Sequence, residues 1–63
     1  MLVLERGKGE SIVLVTPEGK ISVKVLEIRR HAQGGHYVKL GTEAPRTVPV
    51  HRQEVHELIQ RGK

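Results

Sequence analysis

The stretch ISVKVLEI, residues 21–28, alternates apolar and polar side chains from Ile21 to Val25 and then loses step at Leu26, Glu27 and Ile28. A period of two belongs to a strand with one face toward a core, and one extra residue, a β-bulge, produces such a loss of phase. Before it, Ser11–Val15 is a β-branched run stopped by Thr16-Pro17-Glu18-Gly19, where proline presets φ and glycine tolerates positive φ. After it, Arg29–His36 mixes basic residues with Gly34-Gly35 and reads as a loop; Tyr37–Leu40 resumes a strand, and Gly41–Pro45 breaks it. Further out, Leu2-Val3-Leu4 opens the chain as a short strand before a turn at Gly7-Lys8-Gly9. Thr47–Val50 is the last extended piece, with Pro49 placing it at an edge or where no N–H is needed. From about Arg52 the period changes: Val55, Leu58 and Ile59 form one stripe of a short helix, with Glu54 and Glu57 near its start, Arg61 and Lys63 at its end, and Gly62 as a stop. The expected fold is mainly β, five short strands plus a C-terminal helix, in a single domain spanning residues 1–63.

Sixty-three residues bury only about 60% of the unfolded surface, and a core this small usually needs a staple. Cysteine is absent, so no disulfide and no thiolate metal site supplies one, and oligomerisation is the expected substitute. With no Phe or Trp and only Tyr37, the core is built from Val, Ile and Leu, which suits strands. No apolar run approaches the ~20 residues needed to cross a bilayer, and the start of the chain lacks a signal-peptide pattern. A cytoplasmic protein with no membrane partner is expected. Eleven Lys and Arg against seven Glu give a formal charge of +4 and attract polyanions before any specific contact forms.

Catalysis is poorly served. The chain has no Cys, Asp or Asn, its two serines lie in strand-like runs, and its glutamates are scattered. No enzyme activity and no cofactor are expected. His51 and His56 are five apart, not the three or four that two ligands on one helix face need, and His31 and His36 flank glycines, so no metal site is expected either. Gly7-Lys8-Gly9-Glu10-Ser11 lacks the spacing of a phosphate loop and reads as a tight turn.

Arg52 breaks a local rule. The first turn of a helix already presents about half a positive charge, so a cation there costs ~0.3–1 kcal/mol. A helix amino end joined to an arginine makes an anion site. Single-strand binders that stack bases on aromatic platforms need more than one tyrosine, so recognition falls to strand backbone, aliphatic contacts and arginines.

The segments MLVLERGKGESIVL, VKVLEI, VKLGTEAP and VPVHRQEVHELIQ resemble, as an ordered set over nearly the whole chain, the carbon storage regulator family, CsrA/RsmA, of RNA-binding translational regulators. The resemblance implies an intertwined, strand-swapped homodimer in which the first and last strands of one subunit pair with strands of the other. It implies binding of GGA-containing hairpins in mRNA leaders and regulatory small RNAs, which blocks translation or alters transcript stability. By position, Leu4 and Arg6 contribute from the first strand, with the main chain of Val48 to Val50 beside them. His51 and Arg52 stand at the end of the last strand, Arg52 as the most critical residue, and Arg46 leads into it. Arg29 and Arg30 are expected to add phosphate contacts from a loop longer than the family's usual hairpin, and the turn at Thr16–Lys20 is also longer than usual. Glu5, Gly7 and Pro49 depart from the family pattern by a carboxylate where threonine is usual, a lost cation and a lost backbone donor. Glu5 and Gly7 motivate an alternative: a dimeric DNA-binding or protein-interaction module on the same fold with altered or lost GGA readout.

Overall fold

The computed structural model describes residues 1–62. The chain orders as β1 (Ser11–Thr16), β2 (Gly19–Arg30), β3 (His36–Glu43) and α1 (Gln53–Arg61), with the strands in one antiparallel sheet of order β1-β2-β3. β1 and β2 join through a two-residue turn, Pro17-Glu18, with Thr16 opposite Gly19. The Thr16 hydroxyl donates to the Gly19 carbonyl at 2.7 Å and accepts from the Glu18 N–H at 3.2 Å, while Gly19 takes φ 135°. The expected long turn at Thr16–Lys20 is therefore a tight hairpin. The loss of phase in residues 21–28 is a bulge: Val25 pairs Leu40 and Glu27 pairs Lys39, leaving Leu26 as the extra residue. Its side chain lies over Gly41, where an added Cβ would meet Leu26 Cδ1 at 3.2 Å.

The break expected at Gly41–Pro45 comes only after Glu43, because β3 stays in register through Gly41, Thr42 and Glu43 opposite Lys24, Val23 and Ser22. Two more expectations are corrected. Arg29 and Arg30 belong to β2, not to a loop, because register continues through Arg29 opposite Tyr37 and Arg30 opposite His36. The reversal is confined to residues 31–35, where Gly34 and Gly35 take φ 93° and 81° and the His31 N–H donates to the Gly35 carbonyl at 2.9 Å. Second, three strands form, not five. Leu2–Leu4 and Thr47–Val50 have strand-like composition, but a strand exists only by pairing. Among the described residues no backbone group of residues 1–6 bonds to backbone elsewhere. Residues 45–48 instead form a turn closed by the Val48 N–H on the Pro45 carbonyl, at 2.9 Å.

The register puts Ile12, Leu14, Ile21, Val23, Val25, Ile28, Val38 and Leu40 on one face. Nothing covers that face within the chain: among the described residues none is buried, and α1 makes no contact with the sheet. The accessible surface is 5973 Å², whereas a compact folded protein of 7.1 kDa exposes about 4,100 Å². The radius of gyration is 14.2 Å, against about 10.6 Å for a compact chain of this length.

Candidate nucleic-acid interface

The sequence-expected residues fall in three groups. The first is residues 1–10. Leu4 is 58% exposed. Arg6 leads into a turn in which the Glu10 N–H donates to the Gly7 carbonyl at 3.0 Å and Gly9 takes φ 84°, the sign that glycine accepts without strain. Glu10 closes this turn from the side: one carboxylate oxygen accepts the Gly7 N–H at 2.6 Å and the other lies 3.5 Å from Arg6. Sequence reading missed this role for Glu10, though its place four residues after Arg6 was a signal. The Arg6 contact is exposed and weak, worth at most ~1 kcal/mol, so a phosphate readily takes the guanidinium over. The turn is tied to the sheet where the Gly9 N–H donates to the Val25 carbonyl and the Val25 N–H to the Glu10 carbonyl, at 2.7 and 2.9 Å.

The second group is residues 44–52. Pro45 packs against Gly19, where an added Cβ would meet Pro45 Cγ at 3.0 Å, and this anchors the departing chain to the β1–β2 hairpin. Arg46 and Thr47 occupy the centre of the turn that follows, and both are exposed. The backbone donors of Val48–Val50 are nearly exhausted: Val48 spends its N–H in that turn and Pro49 has none. Val50 is 50% exposed, and His51 and Arg52 are exposed too. Arg52 is the N-cap of α1, with extended backbone at φ −63° and ψ 153°, and no side chain caps the helix. The first-turn N–H groups are thus left beside the arginine, offset only by Glu54. An anion satisfies both at once. Arg61 lies in the last turn of α1 and Gly62 closes it in a right-handed conformation, while Lys63, also expected at the helix end, lies outside the described residues. Its stripe of Val55, Leu58 and Ile59 is exposed.

The third group lies at the far end of the β2–β3 hairpin. Arg29 Nε donates to Glu27 Oε1 at 2.7 Å. That bond holds the Glu27 carboxyl below its usual range, aided by the charges of Arg29, Lys39 and Lys8, and holds Arg29 more firmly protonated. Arg30 keeps its side chain exposed opposite His36. Within one chain, among the described residues, no backbone hydrogen bond joins residues 1–6 to residues 46–52, while the turn at residues 7–9 lies near enough to β2 for Lys8 to act on Glu27.

The model of the CsrA global regulator protein family matches residues 1–61. The chain belongs to this family. A Rhodopirellula baltica protein named translational regulator CsrA is 54% identical over 62 residues, covering 98% of this chain and 77% of that protein. Proteins of the same name from Halothermothrix orenii and Shouchella clausii are 44% and 47% identical, over 100% and 95% of this chain and 69% and 66% of their own lengths. No solved structure matches the chain. No helix among the described residues is long and apolar enough to cross a membrane.

Proposed function

We propose that this chain is the subunit of a homodimeric post-transcriptional regulator that binds GGA-containing segments of mRNA leaders and small RNAs by occupancy, without chemistry. The observation that carries the reading is that both candidate site segments, residues 1–6 and 46–52, lie outside the sheet while both sheet edges, β1 and β3, are open. A second copy supplies the missing strand partners. It also covers the apolar face: a compact particle of two chains would bury about 5,200 Å² in total, an obligate-dimer interface. The radius of gyration of one chain, 14.2 Å, equals about that of a compact particle twice its length, as intertwining requires.

In such a dimer the first arm of one subunit lies beside the last arm of the other, bringing Leu4 and Arg6 to Val48, Val50, His51 and Arg52. Arg52 and the main chain of residues 48–50 read bases; Arg6, Arg46, Arg29 and Arg30 position phosphates. The test compares a GGA-loop RNA hairpin, the same hairpin with GGA scrambled, and duplex DNA at one moderate salt concentration. Preference for the first supports the reading. Equal affinity for all three refutes it, and preference for duplex DNA moves the protein to another class.

A further inference from the structure

The chain's single tyrosine, its only Phe, Tyr or Trp, lies at the end of the β2–β3 hairpin beside Arg29 and has no part in the site proposed above. Tyr37 sits opposite Arg29, and the His31 ring stands edge-on to it, centroids 5.6 Å apart at 72°. Tyr37 keeps 43% of its surface in solvent. Arg29 is oriented by Glu27 yet its side chain is 59% exposed. Between residues 27 and 39 Glu27 is the only carboxylate, against Arg29, Arg30, Lys39 and two histidines. β3 carries this cluster away from Arg46: the seven steps from His36 to Glu43 span about 23 Å at strand rise.

A tyrosine facing an arginine across a strand pair needs no ligand. Two features go further than cross-strand packing. The two rings meet nearly perpendicular rather than stacked, with 43% of the tyrosine left in solvent, and the cations around it outnumber the one carboxylate present. An open ring among guanidinium groups is how proteins hold an unstacked base and the phosphates beside it.

We propose that Tyr37, His31 and Arg29 form an auxiliary site for single-stranded RNA, in which a base stacks on Tyr37 while Arg29 and Arg30 take the flanking phosphates. The inference rests on the RNA-binding reading for its class of ligand but not on GGA recognition. It gives the protein a grip on sequence flanking the hairpin it selects.

Tyr37 provides its own probe, because its ring protons are the only tyrosine signals in an NMR spectrum. The protein is titrated with a GGA-free single-stranded RNA of about eight nucleotides, within the usual range of single-strand sites, and separately with inorganic polyphosphate. The RNA is expected to move the Tyr37 ring protons upfield and polyphosphate is not. In parallel, adding the same flank to a GGA hairpin is expected to raise affinity about tenfold, within the range for one stacked base. Tyr37→Ala loses that gain while binding the bare hairpin as before, and Tyr37→Phe keeps it. A flank gain untouched in Tyr37→Ala, or ring shifts equal for RNA and polyphosphate, overturns the proposal, as does a response to acidic protein with none to RNA. If the GGA hairpin fails to bind while the oligomer shifts the ring, the primary reading falls and this one stands.

Discussion

Replacing Leu40 by lysine tests whether the bare apolar face is an interface. Leu40 lies on the edge strand β3 opposite Val25, with 55% of its surface exposed. In an isolated chain a charge there replaces a residue already mostly in water, and the effect stays within ~0.5 kcal/mol. In the proposed dimer the exposed half of the side chain is buried. Fully burying a leucine is worth roughly 1.5–3 kcal/mol, so the share at stake is about 1–1.5 kcal/mol per copy. Both copies change together, giving about 2–3 kcal/mol per dimer before the cost of desolvating lysine. At 1.4 kcal/mol per decade this weakens dimerisation roughly 30- to 150-fold. Sedimentation equilibrium across a concentration series reads the constant directly. Thermal unfolding read alongside it depends on protein concentration if folding and association are linked. A Leu40→Lys variant with the parent's mass and Tm at every concentration would refute the reasoning, as would a parent that sediments as a monomer.

Arg52→Ala is expected to leave the dimer and α1 intact while weakening GGA-hairpin binding by about 1–3 kcal/mol, the range of a good charged base contact; unchanged binding in a gel-shift titration makes Arg52 merely structural. Glu10→Ala frees Arg6 but removes the acceptor for the Gly7 N–H, both held by one carboxylate. Loss of that exposed hydrogen bond should cost about 1 kcal/mol in urea unfolding, while freeing Arg6 from the competing carboxylate should leave the salt dependence of RNA binding unchanged or steeper, read by repeating the binding at several salt concentrations; a shallower slope would show that Glu10 orients Arg6 toward phosphate. Gly41→Val sets new atoms against Leu26, which already lies 3.2–3.4 Å from where a Cβ would stand. The expected penalty is about 1–3 kcal/mol, largely relieved in the Leu26→Ala double variant, and additive effects of the two substitutions would show that they do not touch.

Local signals were legible wherever the partner lies within the chain. The phase slip at Leu26 marked the bulge, because side-chain direction along β2 depends only on the count of residues. Val55, Leu58 and Ile59 marked α1, because their spacing is a property of the helix alone. Leu2–Leu4 and Thr47–Val50 failed for the opposite reason: composition expresses a preference for extended backbone, while a ladder also needs a paired neighbour, and within one chain neither segment pairs with an edge of the sheet. Arg29 and Arg30, read together with Gly34-Gly35, suggest a loop over residues 29–36, but charge indicates only exposure. Exposure is also what the end of a long hairpin provides, and the Gly34-Gly35 pair confines the reversal to five residues. Of the candidate site, the positions at both arms were legible from family resemblance and Arg52 from helix electrostatics. The Glu10 clamp and the Tyr37–His31 pair were not, since each depends on a turn or register that the sequence does not display.

Pro49 takes on meaning once the hydrogen bonds around it are traced. An extended arm that reads bases through its backbone offers donors and acceptors in alternation, and either can set the preference. Here Val48 spends its N–H on the Pro45 carbonyl and Pro49 has no N–H, so residues 48–50 retain one free donor, at Val50, against three carbonyls. A surface so rich in acceptors favours bases that present donors, and the 2-amino group of guanine is such a donor. Arg52, two residues on, supplies the donors that guanine O6 and N7 accept. Within the proposed reading, the missing donor at Pro49 leaves the arm's carbonyls to meet the amino groups that guanine and adenine both carry, so this departure from the family pattern is compatible with GGA readout without selecting guanine over adenine.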